Sequence, residues 1–348
     1  VRVYTASYQL PLGQDDRPEV HRSPSFPFFM YPDVQWAFPR LRALVDDLAA
    51  FRPDVVHVAT EWAMGIAGVK AARQLGLPIV ASAHTDYDRY AARYGMDWLA
   101  RPGWHYLRWF YGHANRVLCP TRLYEQHLHR RGVMHTGIWT RGVDAEAFNP
   151  RYRSLRYRRE MGAGSPDLMV TYVGRLAREK NLDLLLDAWQ HMDGRRGSAQ
   201  LVLVGRGPLE AEIRRRRLPG VHLAGQRTGV SLATAYASAD VFVFPSTTET
   251  FGNVVLEAMA SGLPPVVAAA GGVLDFTEHG GNAWLVAPDD VRAIADGLER
   301  LIRDPGLRYR LRQGALRTAH ARRWDAIYDG IVEEYRRVMR ERPLYAAA

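Results

Sequence analysis

Short, dense apolar runs alternate along the chain with longer stretches whose apolar residues recur every three or four positions. In the first half the runs fall at residues 1–6, 54–59, 78–83, 116–120 and 135–140. Their length and β-branched content predict strands. Between them, residues 36–51, 62–75, 98–114 and 122–131 carry the helical period. One helix end is explicit: Gly76 and Pro78 follow Leu75, a glycine just past the last turn and then a proline. Strands alternating with helices of this length predict a parallel, doubly wound sheet.

Residues 142–154, with Pro150 among them, follow neither period and read as an interdomain linker. A second series then begins, with strands expected at 168–173, 200–204, 221–224, 241–244, 265–269 and 284–286. Its helices are expected at 181–191, 209–216, 231–238, 253–261, 291–302 and 306–321. A last helix, 324–340, sets Ile327, Ile331 and Tyr335 against a polar side, and either closes the second domain or crosses back to the first. The fold class is therefore α/β, two facing doubly wound Rossmann-like domains, residues 1–145 and 146–323, with 324–348 as a C-terminal helical segment. In such folds ligands bind outside the carboxyl ends of the strands.

Composition narrows this picture. A chain of 348 residues suits two cores, and 47% apolar with 24% charged residues is an ordinary globular balance. No run approaches the ~18 consecutive apolar residues that span a bilayer. Cys119 is the only cysteine, which excludes a disulfide framework and a cysteine metal site and makes a reducing cytoplasm the default. The opening VRVYTA reads as a strand, and no signal peptide is expected. The net charge of +9 invites nucleic acid, an anionic membrane or acidic ligands. Lys70 and Lys180 are the only lysines among 46 basic residues, a bias that a GC-rich coding sequence explains and that makes each lysine conspicuous.

The stretch PSTTETFGNVVLEAMASGLP, residues 245–264, organises the candidate chemistry. Its helix is apolar nearly all round, with Glu257 the only charge inside it and Glu249 just before it begins. A carboxylate in such a helix costs several kcal/mol unless a ligand hydroxyl or a distant side chain donates to it. The helix start, near Thr250 to Asn253, adds free backbone N–H groups and a positive dipole end. Two acids around an anion-friendly helix start point to a polyhydroxylated, phosphate-bearing ligand. The turn VGRLAREKN, residues 173–181, has Gly174 for close backbone approach and then Arg175 and Lys180, a seat for a diphosphate. The simpler reading is surface pairing, for example of Arg178 with Glu179. The turn in LVLVGRGPLE, residues 201–210, lacks the third glycine of a dinucleotide fingerprint and reads as the floor of the site, with Gly207 and Pro208 positioning the next helix.

In this order and spacing, VGRLAREKNLDLLLDAW, LVLVGRGPLE and FPSTTETFGNVVLEAMASGLP resemble the second domain of a retaining nucleotide-sugar transferase of glycosyltransferase family four, with the GT-B fold. The likeness extends upstream through PDVVHVATE, ASAHTDYDRYAARYG, YLRWF and RGVDAEAFNP, and is similar above all to bacterial GDP-mannose-dependent α-mannosyltransferases acting on glycolipids. The resemblance implies that Arg175 and Lys180 hold the donor diphosphate and that Glu257 accepts from the ribose hydroxyls. It gives Glu249 the hydroxyls of the transferred sugar, with the backbone of Phe251 and Gly252 beside it and His84 reaching across from the first domain. No catalytic metal and no cofactor beyond the nucleotide sugar are implied. It also implies that the opening strand and a glycine-rich loop are missing before residue 1, so the first domain is expected to be truncated. Asp275 stands where relatives often carry Glu.

The stretch 97–112 mixes Trp98, Trp104, Tyr106, Trp109, Phe110 and Tyr111 with arginines. A helix packed into the core with its arginines outward is the simpler reading; a membrane interface is the other. With the positive charge, the second gives peripheral attachment to the inner face of the plasma membrane. The expected activity is transfer of mannose from GDP-mannose to a glycolipid or lipid-linked acceptor. The alternatives are a UDP-sugar-dependent glucosyl or sulfoquinovosyl transferase and a catalytically silent nucleotide-sugar-binding protein. Nucleic-acid binding is the reading of charge alone and leaves both acids unexplained.

Overall fold

The structure, a computed structural model, describes residues 1–7, 19–28, 31–85, 87, 98, 100–164 and 166–341. Of the stretches singled out above, residues 86, 88–95, 97, 99 and 342–348 lie outside the described residues. Strand β1 (Val3–Ala6) pairs in parallel with β2 (Val20–Ser23), and β3 (Ser25–Phe28) pairs antiparallel with β4 (Tyr31–Ala37). Helices α1 (Leu41–Phe51), α2 (Ala63–Gln74), α3 (Ala100–Tyr111) and α4 (Arg122–Arg130) alternate with β5 (Val56–Val58), β6 (Ile79–Ser82), β7 (Arg116–Cys119) and β8 (Thr136–Ile138). The last four strands form one parallel sheet in the order β5-β6-β7-β8.

Three strands between residues 20 and 37 were not expected, and the predicted helix 36–51 starts only at Leu41. Pro39 is the reason: it disfavours helical geometry at Phe38, so Trp36 and Ala37 end a strand instead of beginning a helix. Helix α3 buries Trp104, Leu107, Phe110 and Tyr111, while Arg101, Arg108 and Trp109 face outward. That is the packed-helix arrangement.

The predicted linker is only partly irregular. Val143 bridges to Arg323, residues Pro150–Tyr152 form a short 3₁₀ turn, and α5 (Leu155–Glu160) follows, capped by Ser154. The second sheet is built from β9 (Met169–Val173), β10 (Gln200–Val204), β11 (Val221–Gly225), β12 (Val241–Phe244), β13 (Pro265–Ala268) and β14 (Trp284–Val286). Its helices are α6 (Leu182–His191), α7 (Glu210–Arg216), α8 (Gly229–Ser238), α9 (Asn253–Ala260), α10 (Val291–Arg303) and α11 (Pro305–Ala321). The strand order is β11-β10-β9-β12-β13-β14, all parallel. Every residue of β9, β12 and β13 is buried, because helices cover both faces of a parallel sheet. This strand order reverses direction between β9 and β12, and the crevice at such a switch point is where ligands bind.

The final helix, α12 (Trp324–Arg340), lies on the first sheet, where Ile331 and Val338 pack with Val80 and Leu118. Glu334 accepts from Arg116 at 2.9 Å, and Tyr335 Oη lies 2.6 Å from His57 Nδ1. No helix among the described residues is long and apolar enough to cross a membrane. Because Ile331 is only 7% exposed, Ile331→Ala is expected to cost ~2–4 kcal/mol. The exposed Tyr328, truncated to Ala, should cost under ~0.5 kcal/mol, with urea denaturation measuring both.

Candidate functional site

The loops after β9 and β12 meet the ends of β6 and β8 around a cleft of about 520 Å³. The second domain lines it with Gly174, Arg175, Glu179, Lys180 and residues 249–254, and the first contributes His84, Pro120 and Arg141. Of the residues expected to hold the donor or the transferred sugar, Glu257 is not part of this lining, and Gly207 and Pro208, read as the floor of the site, are not part of it either.

Glycines set the shape of the second-domain wall. Gly174 N–H donates to Val204 O at 3.0 Å, Leu176 N–H to Arg206 O at 2.9 Å and Leu209 N–H to Leu176 O at 3.0 Å. The two loops thus run against each other. A Cβ on Gly205 would sit 1.9 Å from Gly174 O, and one on Gly207 2.3 Å from Leu176 O. The glycines of LVLVGRGPLE therefore let the backbone of the Arg175 loop lie where it does.

Charge is then concentrated on that loop. Lys180 Nζ pairs with Glu249 Oε1, which also accepts from Ser246 Oγ at 3.2 Å. The neighbouring Arg175 is 41% exposed and lies 3.8 Å from Glu179, which is only 2% exposed. Glu179 is thus a buried acid facing Arg175, not a member of a surface pair. Asn181, in the left-handed region at φ 56°, donates to Pro245 O at 3.1 Å, tying the β9 loop to the β12 loop.

Helix α9 opens on Gly252 at φ 95°, with no side chain capping its first N–H groups. A Cβ there would come within 2.5 Å of Val273 Cγ1, so glycine is required. One turn deeper, Glu257 Oε2 accepts from Tyr236 Oη of α8 at 2.8 Å. Burial pushes the Glu257 carboxyl above its ordinary range, with the Tyr236 hydrogen bond opposing. The lone acid in an apolar helix is thus explained by a distant side chain, and a ribose is not needed to account for it.

The first-domain wall is held to this loop by hydrogen bonds. Thr250 Oγ1 donates to His84 O at 2.8 Å, Thr121 Oγ1 donates to Thr250 O at 3.2 Å, and Arg122 N–H donates to Asp275 Oδ1 at 3.1 Å. Asp275 faces the first turn of α4, where a carboxylate favours the positive dipole end. It serves the contact between the domains and is not part of the cleft lining. The ring of His84 lies 3.1 Å from Arg141 Nη2, and the Arg141 guanidinium sits 4.6 Å above the ring of Trp139. Burial, then Arg141 and then His57, pull His84 down to about 3; burial and then Arg141 pull His57 down to about 4. Both imidazoles are neutral at pH 7. Arg141 was not singled out by sequence reasoning, although RGVDAEAFNP was noted; one arginine among 44 carries no local signal.

Comparison with known proteins agrees with this architecture. The profile of Glycosyltransferase Family 4 matches residues 1–147, and that of Glycosyl transferases group 1 matches residues 167–304. The GDP-mannose-dependent alpha-mannosyltransferase of Mycobacterium tuberculosis is 35% identical over 345 residues, 97% of this chain and 88% of that protein. Sulfoquinovosyl transferase SQD2 of Arabidopsis thaliana is 35% identical over 291 residues, 81% of this chain; the match spans 56% of that longer protein. In fold, sucrose-phosphate synthase from Thermosynechococcus elongatus superposes with a TM-score of 0.79 at 22% identity, covering 96% of this chain and 88% of that one.

The two neutral histidines generate a pH prediction. Each binds its proton less tightly folded than unfolded, so stability is full above pH 6.5 and is lost as pH falls toward the folded values of about 4 and 3. His57 alone should remove roughly 2 kcal/mol between pH 7 and pH 5. Denaturant titrations at the two pH values should show this loss, and His57→Gln should make the difference smaller.

Proposed function

The chain belongs to glycosyltransferase family four, a hexosyltransferase of GT-B fold with two Rossmann-like domains, and we propose that it moves mannose from GDP-mannose to a glycolipid or lipid-linked acceptor with retention of configuration. The observation that carries this reading is the Lys180–Glu249 pair, which places a cation and a carboxylate side by side in the cleft. Residues 146–323 take the donor and residues 1–145 the acceptor, with the final helix, Trp324–Arg340, crossing back to the first domain. Arg175 and Lys180 hold the diphosphate and stabilise the charge that builds on it as the glycosidic bond breaks. Glu249 accepts from the sugar hydroxyls beside the reacting carbon, with Thr250, the backbone of Phe251 and Gly252, and Asn253 around the same sugar.

Glu257 holds the ribose from its position one turn deeper in α9. His84 approaches the sugar from the first domain as a neutral imidazole, able to accept or donate one hydrogen bond without repelling the cations opposite. Since two side-chain cations stand where the diphosphate must be neutralised, transfer needs no divalent metal. Attachment to the cytoplasmic face of an anionic membrane is supported by the outward Trp109 and Arg108 of α3 and by the net charge of +9.

The 35% identity to a sulfoquinovosyl transferase supports a second reading, in which the donor is a UDP-sugar. Thermal-shift titration separates the two: GDP should stabilise the protein at lower concentration than UDP, and the reverse order assigns the UDP reading. In a transfer assay, Glu249→Ala, Arg175→Ala and Lys180→Ala should each lower kcat/KM by ~10²–10³-fold. Activity should survive EDTA. Wild-type rates in all three variants would sink the reading.

A further inference from the structure

Most charges around the cleft have a partner of opposite sign. Lys180 is paired with Glu249, and Arg175 faces Glu179. The two most buried arginines described, Arg158 and Arg196, meet Asp240 at 2.8 Å and Asp193 at 3.0 Å. Arg141 differs. It is half-buried in the cleft lining, yet no carboxylate among the described residues forms an ion pair with it.

Among the described residues, its neighbours do not supply the missing charge. The guanidinium rests on the face of Trp139, and its Nη2 is near the ring of His84. His84 and, behind it, His57 are both neutral at pH 7. Burial lowers the affinity of Arg141 for its own proton, the signature of a cation taken out of water without compensation. A guanidinium in that state is matched by a tetrahedral oxyanion, which takes two of its N–H groups at once.

The position also fits. Arg141 follows β8 and faces the same space as Arg175 and Lys180, with His84 between it and Thr250 of the donor loop. We propose that Arg141 is the first domain's ligand for a phosphate-type oxyanion of the bound substrates. The guanidinium closes the cleft over that group from the side opposite Arg175 and Lys180. The oxyanion comes either from the diphosphate of the nucleotide or from a charged group on the second substrate. The assignment rests on the glycosyl-transfer reading of the cleft.

Calorimetric titration of the full chain tests it with four probes: GDP, UDP, the nucleoside guanosine, and inorganic phosphate added to GDP-saturated protein. If the source is the diphosphate, Arg141→Gln weakens binding of the preferred nucleotide by about 10–100-fold and leaves guanosine unchanged. If it is the second substrate, nucleotide binding stays as in the wild type and the inorganic-phosphate signal is lost in Arg141→Gln. In either case Arg141→Lys keeps the charge but not the paired N–H groups and recovers only part of the binding, while guanosine binding stays as in the wild type in both variants, which a purely structural role toward His84 would not give. Nucleotide and phosphate binding both unchanged in Arg141→Gln, or guanosine weakened as much as the nucleotide, overturns the assignment while leaving the transferase reading intact. A wild-type chain that binds none of the probes overturns both.

Discussion

The cleft depends on one juxtaposition: Lys180 and Glu249, drawn together across the switch point of the second sheet. They are carried by the loops after β9 and β12, neighbouring strands at which the connections turn to opposite sides. Both side chains are largely buried, so the cost of removing two charges from water nearly cancels their attraction, and the pair adds little to net stability. Its consequence is geometric. It holds a cation and a carboxylate in fixed positions beside the uncapped start of α9, where a phosphate and a sugar hydroxyl need opposite partners.

That arrangement is useful only if the first domain is held in register with it. Three features do so. Hydrogen bonds join Thr250 to His84 and Thr121 across the cleft; the Val143–Arg323 bridge joins the two connecting segments; and α12 returns to the first sheet and packs on Val80 and Leu118. The donor loop that carries Glu249 is therefore also the loop that touches the first domain. A shift between domains would be felt directly at Thr250, one residue from the carboxylate.

Much of this was legible in one dimension, because buried parallel strands write themselves as unbroken apolar runs. MVTYV, VFVF and PVVA could be placed almost to the residue, as could α12 from the spacing of Ile327, Ile331 and Tyr335. The strands between residues 20 and 37 could not. They are short, form two-stranded pairs and carry no sustained alternation, so neither period stands out. Arg175, Lys180 and Glu249 were legible for a different reason. They sit in turns directly after strong strands, and in a doubly wound fold such turns converge on one edge.

By itself, then, the order of residues determined the two α/β domains, the turns that line the cleft and the types of charge brought there, since each follows from local periodicity or from a strand's end. Which groups satisfy one another was decided only by the tertiary structure. Tyr236 and Glu257 are 21 residues apart and meet only because α8 and α9 pack together. Arg141 reaches the cleft because Trp139 and His84 place it there, at a sequence distance of 57 from the histidine. Compensation of a buried charge depends on distances in space, and no pattern along the chain encodes them.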